Sequence, residues 1–505
     1  MAVKITTAFL VGIAGNIISV EINIENGFPC FNIVGLADTS VRESRDRVRA
    51  SIINSGFKFP IKKITVNLAP ADIKKFGSLF DLPIALGILY ATAQIDFKDS
   101  ENFIVLGELS LFGNLNRVTG VLPITIEGVR NNIKNFIVPL GNSEECSVVK
   151  GANCYAFKNL KEVVQFIKYR NTCPYVNKSH RKSTTSKLDF SDVLGQESCK
   201  RAIEVAAAGH HNILMIGPAG SGKTMLAMRI PSILPDLNYE DALDVTRIYS
   251  AAGMLDKDKS LILEPPFRNP HHTTTSIALI GGGSKLMPGE ISLAHNGILF
   301  LDEILEFKRN VLEVLRQPME ENIITISRSN GKVNYPCNFM TVMATNPCKC
   351  GNFGSNRHCS CTEYERNRYI SKLSAPILDR IDIFIFVNTP SFIDLKVPYE
   401  NRSSKDMKKN VIYSRKLQMK RLKDENIQYN SQMNGKLIKK YCAVDDNSNK
   451  LFSKIFSKYN LSARAYNKIL KVSRTIADLD NKELIETSHI IEALNYRKFM
   501  NNKIV

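Results

Sequence analysis

The chain has 505 residues and a formal net charge of +18. A chain this long exceeds what one hydrophobic core organises, so we expect several domains. Hydrophobic residues make up 44% of it and charged residues 23%, which is typical of a globular protein. The sequence shows no cleavable signal peptide and no run of ~18 uncharged apolar residues, so we expect a cytoplasmic protein without a membrane span.

The cysteine count and the charge narrow the class further. The 11 cysteines are an odd number in a long chain, which is not the pattern of a secreted disulfide scaffold. The positive charge suits a polyanionic partner, and nucleic acid is the usual one. It is concentrated in residues 401–440, which hold 12 Lys and Arg against 3 Asp and Glu. A Lys-, Asn- and Ile-rich proteome would produce the same excess, so charge alone leaves both explanations open.

The first third of the chain alternates strand-like and helical segments. Alternating apolar and polar residues predict strands at 17–24 and 64–68. The apolar segment 79–93 predicts a helix with Pro83 in its first turn, where a missing N–H costs little. A further helix is predicted at 40–53, with a basic face formed by Arg42, Arg45, Arg47 and Arg49.

The composition divides the chain into three domains and a linker. Residues 1–168 form the first domain. Residues 169–187 indicate a linker, because they hold Pro174, basic residues and a Ser/Thr cluster with little apolar content. An α/β pattern then runs over 188–389. From 390 to 505 the chain is polar, basic and helical.

One segment of the second domain fits a phosphate-binding loop at every fixed position, G-x-x-x-x-G-K-[ST]. The glycines allow backbone N–H groups to point at phosphate oxygens. Lys223 is expected to reach the β- and γ-phosphates, and the Thr224 hydroxyl to ligate Mg²⁺. An apolar strand at 211–216 and a helix at 225–230 flank the loop. The predicted nucleotide-binding residues are Gly217, Pro218, Ala219, Gly220, Ser221, Gly222, Lys223 and Thr224.

Three later segments supply the rest of a hydrolytic site. The strand at 297–301 ends in Asp302, which is expected to hold Mg²⁺ through water, and Glu303, which is expected to polarise the attacking water. A buried strand ending at Asn346 would bring this amide to the γ-phosphate or the attacking water, since ligands lie beyond the carboxyl ends of parallel strands. Arg380, just before another strand, is a candidate arginine finger.

The order of these segments resembles the AAA+ ATPases, and the connecting sequence resembles their magnesium-chelatase-like branch, the YifB/ComM family. The matching segments cover almost the whole chain: 31–36, 41–45, 66–72, 192–196, 200–210, 269–272, 288–295 and 315–320. One departure is Ala219, where the family usually has a second proline. The resemblance implies an α/β architecture. Its parts are an N-terminal Lon-protease-like (ribosomal-S5-like) α+β domain, a central AAA+ domain with a parallel sheet, and a C-terminal helical lid.

The resemblance also implies a homo-oligomeric ring, a hexamer, with ATP bound between neighbours. On that basis Arg380 acts in trans on the γ-phosphate of the next subunit. Arg464 opens the predicted helix 465–477 and resembles the family's sensor-2 position, where it would contact phosphate. Whether Arg464 acts in cis or in trans is left open by the sequence.

The resemblance to Lon proteases stops short of their chemistry. Lon proteolysis needs a nucleophilic serine beside a lysine base. The position of the serine falls near Leu79 rather than Ser78, and the position of the lysine falls near Ile124. We therefore predict no peptidase activity, and a domain that binds DNA or builds the ring.

Two further clusters suggest metal or substrate contacts. Four thiols in a Gly- and Asn-rich loop fit a structural Zn²⁺ site, with reduced free thiols as the alternative; they are Cys348, Cys350, Cys359 and Cys361. His271 and His272 are predicted to diverge, which makes them poor joint ligands in a loop facing the ring pore or the nucleotide. Gly281–Gly283 suit a hairpin insert, where Lys285 could touch a translocating strand.

The functional hypothesis is an ATP- and Mg²⁺-dependent DNA motor. The resemblance implies a branch-migration helicase acting on single-stranded or branched DNA in recombination or natural transformation. A metal-chelatase-type motor subunit is the first alternative. A Lon-like ATP-dependent protease is the second, and the absent Ser–Lys pair disfavours it.

Overall fold

The structure is a computed structural model that describes residues 2–36, 38–70, 74–177, 188–256, 260–283, 286–328, 331–389, 402–445, 448–450, 452–453 and 462–497. Lys285 and most of the predicted linker, residues 178–187, lie outside these ranges. Within them, no helix is both long and apolar enough to cross a bilayer.

The N-terminal unit, residues 2–177, is built on a four-stranded sheet in the order β1-β2-β4-β3. β1, β2 and β4 pair antiparallel, and β3 runs parallel to β4. A three-stranded parallel sheet, β5-β8-β9, and the short β6–β7 pair complete its strands. The strands are β1 (Ala2–Val11), β2 (Ala14–Glu25), β3 (Cys30–Val34), β4 (Lys63–Ala69), β5 (Phe103–Val105), β6 (Glu108–Leu109), β7 (Leu115–Asn116), β8 (Asn135–Pro139) and β9 (Asn153–Phe157).

Helices cover one face of the four-stranded sheet. The predicted apolar helix is confirmed and is buried along nearly its whole length, because it lies between the sheet and the rest of the unit. Alternate residues of β4, namely Ile64, Val66 and Leu68, point into the same core. The helices are α1 (Thr39–Asn54), α2 (Asp81–Ala91), α3 (Val121–Arg130), α4 (Ser143–Ser147) and α5 (Leu160–Tyr169).

The prediction that four arginines form one face of α1 is wrong for Arg47. Arg47 points inward, and its guanidinium bonds both carboxylate oxygens of the buried Asp81, at 2.8 and 3.1 Å. The remaining three, Arg42, Arg45 and Arg49, are exposed. Their spacing of three and seven residues puts them on one side of the helix, whereas Arg47 falls on the other.

The central unit, residues 188–389, contains a five-stranded parallel sheet in the order β11-β14-β17-β10-β18. Its main strands are continuous apolar runs, as expected for a sheet covered on both faces, so the predicted parallel sheet is confirmed. Two antiparallel hairpins, β12–β13 and β15–β16, project from it. The strands are β10 (Ile213–Ile216), β11 (Phe267–Arg268), β12 (Gly281–Gly282), β13 (Met287–Pro288), β14 (Ile298–Leu301), β15 (Ile323–Arg328), β16 (Gly331–Pro336), β17 (Met340–Thr345) and β18 (Ile383–Phe386).

Helices pack on this sheet, and the C-terminal part of the chain consists of further helices. The central helices are α6 (Glu197–Gly209), α7 (Lys223–Ile233), α8 (Tyr239–Ala251), α9 (Ser276–Ile280), α10 (Glu290–Leu293), α11 (Arg309–Glu313), α12 (Arg316–Glu321), α13 (Glu363–Ile370) and α14 (Ala375–Leu378). The C-terminal helices are α15 (Ser404–Arg421), α16 (Gly435–Tyr441), α17 (Ala463–Leu479) and α18 (Thr487–Asn495). They share one apolar core with α6 and the sheet.

The N-terminal unit contacts the central unit through both polar and apolar residues. Ser250 of α8 donates to the buried carboxylate of Glu145 at 2.7 Å. The Tyr239 hydroxyl donates to the carbonyl of Val148 at 3.0 Å. Ile13, in the turn between β1 and β2, joins the same apolar cluster as Val333 of the β15–β16 hairpin.

His295 is a buried histidine in the central unit, and it is held neutral. Its Nδ1 accepts a hydrogen bond from the backbone N–H of Asn338 at 3.1 Å. Burial, with a smaller contribution from the charge of Arg247, lowers its pKa to about 4.

Acid should therefore weaken the fold through His295. The unfolded chain takes up this proton near pH 6.5, so stability present above that pH is lost as the pH falls towards 4. We expect this group to cost about 1.4 kcal/mol per pH unit in that window. H295N keeps an acceptor and cannot titrate, so its urea midpoint should fall less between pH 7 and pH 5 than that of the wild type. An equal fall in both proteins would contradict this assignment.

Candidate functional site

The phosphate-binding pattern lies at the carboxyl end of β10 and leads directly into α7. Gly220 and Gly222 have φ of 76° and 92°, in the region that favours glycine. Gly217 is required for a different reason: a Cβ there would lie 2.3 Å from the carbonyl oxygen of Val387. The turn therefore ends in the N-terminus of a helix of 11 residues, whose free N–H groups favour anions.

The Lys223 ammonium is buried inside this loop. Its Nζ donates to the carbonyl oxygens of Gly217 and Pro218, at 2.7 and 2.8 Å, and to Oδ1 of Asn346 at 3.1 Å. Burial lowers its pKa, and the carboxylates of Asp302 and Glu303 oppose that effect. Anionic phosphate oxygens form stronger hydrogen bonds with an ammonium than these neutral oxygens do.

The two predicted magnesium ligands meet at the ends of neighbouring elements. The Thr224 hydroxyl at the start of α7 donates to Oδ2 of Asp302, just after β14, at 2.7 Å. A hydroxyl oxygen and a carboxylate oxygen are hard ligands of the kind that Mg²⁺ takes beside substrate phosphates. The donor set therefore fits the metal.

Glu303 adopts a strained backbone conformation beside Asp302. Its φ of 49° is unusual for a residue with a side chain. Its N–H donates to Oδ1 of Asp302 at 2.9 Å, while more than half of its side-chain surface remains exposed. The Glu303 carboxylate is therefore accessible to solvent beside Asp302.

The histidine pair lies beside this carboxylate. Nδ1 of His272 is 3.9 Å from the carboxylate of Glu303. A position facing the ring pore or the nucleotide stays a prediction. The prediction that His271 and His272 diverge is wrong, because their ring centroids are 4.1 Å apart. They lie in a turn, where the alternation of a strand and the rotation of a helix do not apply.

The two predicted arginines lie together, in a cleft of about 610 Å³ that contains no residue of the phosphate loop. Arg380 pairs with Glu320 at 2.6 Å and donates to the carbonyl of Arg316 at 3.2 Å. Arg464 is mostly exposed and lies 3.7 Å from the carboxylate of Asp379. The structure thus groups Lys223 with the acids and Asn346, and it places both arginines elsewhere.

The four predicted thiols form a compact cluster. All four Sγ atoms lie within 4.8 Å of one another. Three of the distances are 3.4 Å (Cys348–Cys350), 3.6 Å (Cys350–Cys359) and 3.8 Å (Cys348–Cys359). The cluster adjoins the phosphate loop, because the N–H of Ala219 donates to the carbonyl of Gly351 at 2.9 Å.

Gln196 contacts the loop although its residue type does not indicate this. Its Nε2 donates to the carbonyl of Ser221 at 2.9 Å and to that of Asn388 at 3.3 Å. The available signal is its place in the family-like segment 192–196.

At the Lon-like positions, Leu79 and Ile124 are buried apolar residues. Ser78 donates to the carboxylate of Glu108, and the Lys75 ammonium donates to the carbonyl of Pro70. The absence of peptidase activity stays a prediction.

The parallel sheet, the loop at its carboxyl edge and the adjacent acids define a P-loop protein of the AAA+ class. Residues 189–395 match the family described as Magnesium chelatase, subunit ChlI. Residues 20–142 match Subunit ChlI of Mg-chelatase, and residues 401–497 match Magnesium chelatase, subunit ChlI C-terminal.

Relatives match along the whole chain. YifB of Salmonella typhimurium is 40% identical over 98% of this chain and 97% of its own. Competence protein ComM of Haemophilus influenzae is 39% identical over 96% of this chain and 95% of its own. The chain therefore belongs to the YifB/ComM family of magnesium-chelatase-like proteins.

A shorter match supports the AAA+ class. The ATP-dependent Clp protease ATP-binding subunit ClpX of Borrelia duttonii is 28% identical over 26% of this chain. Membership of this class indicates an ATPase that uses ATP with Mg²⁺, and AAA+ proteins usually form oligomeric rings.

Proposed function

We propose that this protein is an ATP-hydrolysing AAA+ motor, with the catalytic groups gathered around the phosphate loop. The observation that supports this most directly is the contact of Thr224 with Asp302, beside a buried Lys223 that is bonded to Asn346. When bound, Mg²⁺ would neutralise phosphate charge between Thr224 and Asp302. Lys223 binds the phosphates, Asn346 positions them and the water, and Glu303 accepts the proton of that water.

We propose that the site is completed by the neighbouring subunit of a hexameric ring. Arg380 and Arg464 share a cleft that contains no residue of their own phosphate loop. Both arginines therefore act in trans, with Arg380 as the arginine finger and Arg464 as the sensor. The ion pair between Arg380 and Glu320 fixes the direction of the guanidinium.

Mixing two inactive variants tests this arrangement. K223A lacks a working loop but retains its arginine, and R380A has the opposite defect. In an equimolar mixture, a site with an intact loop beside an intact finger forms at about one quarter of the interfaces. We expect ATPase activity to recover to about that fraction. R130A removes an exposed arginine of the N-terminal unit and replaces R380A in the control mixture. Measured alone, R130A should have the ATPase activity of the wild type. No recovery in the K223A and R380A mixture would show that Arg380 acts in cis.

We propose that the motor acts on single-stranded or branched DNA, as a branch-migration helicase in recombination or natural transformation. The net charge of +18 supports a polyanionic partner. Between residues 402 and 425, five lysines are exposed to solvent, namely Lys405, Lys409, Lys416, Lys420 and Lys423. The name of the Haemophilus influenzae relative, competence protein, supports the link to natural transformation.

ATPase activity with different DNA substrates tests this proposal. We expect single-stranded and junction DNA to raise the ATPase rate, and a forked or four-way substrate to be unwound. The salt concentration is fixed in these assays, because phosphate contacts depend on ionic strength. E303Q, which retains the loop, should bind ATP and DNA without unwinding. An ATPase rate that no DNA of any shape changes would contradict the proposal.

We propose that the four thiolates hold a structural Zn²⁺ ion. With Zn–S bonds of about 2.3 Å, a regular tetrahedron has S–S edges of about 3.8 Å. The three distances of 3.4–3.8 Å are close to that value. The cluster bonds to the phosphate loop through Ala219, so the ion would stiffen the loop without touching substrate.

Elemental analysis tests the zinc site. The purified protein should carry about one zinc per chain, and C359S/C361S should lose it together with part of its thermal stability. C173S, which changes an exposed cysteine outside the cluster, is the matched control. Less than about 0.2 zinc per wild-type chain would contradict the site.

We propose the domain limits 1–168, 169–187, 188–389 and 390–505, and a cytoplasmic location. A metal-chelatase-type motor subunit is the second candidate function, because the matched families carry that description. A lack of DNA stimulation together with a working ATPase would favour it.

A further inference from the structure

Three exposed arginines form a stripe along α1 in the N-terminal unit. Arg42, Arg45 and Arg49 are spaced by three and four residues, which puts them on one side of the helix. Among the described residues, none of the three forms an ion pair. Arg47 on the same helix is paired with Asp81. Unpaired guanidinium groups in a row favour a ligand with regularly spaced negative charge.

Two phenylalanine rings lie at the end of this stripe. The Arg49 guanidinium carbon is 5.7 Å from the centre of the Phe59 ring. Phe59 in turn packs against Phe31 of β3, with centroids 5.9 Å apart and planes inclined by 43°. Both rings are only partly buried, at the margin of the apolar core.

The surroundings of the rings are exposed and largely basic. Lys58 and Lys62 flank Phe59 in the chain, and both are exposed. Phe28, in the turn before β3, is 89% exposed. β3 is also an edge strand, since it pairs only with β4 in its sheet.

The positive charge and the partly exposed aromatic rings together favour a ligand that carries both phosphates and accessible bases. Arginine side chains bind phosphates, and partly exposed rings stack on nucleobases. In duplex DNA the base faces are covered by neighbouring base pairs, so the rings can be used only by an unpaired strand. We propose that the basic-aromatic patch of Arg42, Arg45, Arg49, Phe31 and Phe59 binds single-stranded DNA. This rests on the proposed action on DNA and gives the N-terminal unit its part in it.

Two acids on α1 limit the attraction. Glu43 lies 4.0 Å from Arg47 and is partly neutralised. Asp46 is exposed, forms no ion pair among the described residues, and is adjacent to Arg45 in the chain. Removing the charge of Asp46 should strengthen DNA binding. A variant at this position therefore tests for increased affinity instead of decreased affinity.

Binding of fluorescent oligothymidylate of about 30 nucleotides by the full-length protein tests the patch. The variant with Arg42, Arg45 and Arg49 all changed to alanine should bind at least about tenfold more weakly, and the slope of log K against log salt should shrink by about two. F59L keeps the apolar volume and loses the ring. It should bind about tenfold more weakly with an unchanged salt slope. D46N should bind more tightly.

Controls separate the patch from general effects of charge and stability. R130A removes an exposed arginine from α3, a helix that packs against β2 and α8 instead. Y169L removes an exposed ring at the end of α5. Neither should change binding, and basal ATPase activity without DNA should be the same in all variants. An abasic strand should bind wild type and F59L equally.

The outcomes are distinct. One outcome is that the wild type binds oligothymidylate, but no more tightly than the triple variant and F59L do. In that case the patch is not the binding surface, while the proposed action on DNA is not contradicted. If wild type binds no DNA, the proposed function itself fails. If F59L changes nothing but the triple variant loses affinity, the stacking part of the inference is overturned.

Discussion

The buried ammonium of Lys223 must be surrounded by polar groups, and the strands of the central sheet position those groups. A cation removed from water is costly unless polar groups surround it. Four oxygens do so, three from the loop itself and one from Asn346 at the end of β17. Because β17 lies between β10 and β14, the same sheet edge also brings Asp302 to Thr224. The order of strands in the sheet thus determines which side chains meet the loop.

Among the described residues, neither predicted arginine lies at the phosphate loop. Glu303 points to solvent in a strained conformation, while Arg380 is held by Glu320 in a different cleft. In the ring that we propose, each subunit would present its arginines to the phosphate loop of the next. ATP hydrolysis would then depend on assembly of the ring. The C-terminal helices contribute to the cleft that contains Arg380, because Arg464 lies in the first turn of α17, 3.7 Å from the carboxylate of Asp379.

Sequence reasoning predicted the loop, the acids and the strands, because parallel strands are short apolar runs with polar residues at their ends. It placed Arg47 wrongly, since its partner Asp81 lies 34 residues away and only the packing of α1 on α2 brings them together. The close contact of the His271 and His272 rings was missed because no periodic rule describes a turn. The contact of Phe31 with Phe59 likewise depends on how the sheet and its connections fold, not on a local motif.

The central claim is that one chain holds only half of a hydrolytic site. Specific ATPase activity measured over a dilution series from micromolar to nanomolar protein, alongside binding of a fluorescent ATP analogue, tests it most directly. The account predicts that activity per chain falls steeply where the ring dissociates, while each chain continues to bind nucleotide. Constant activity per chain down to concentrations where sedimentation shows monomers would contradict it.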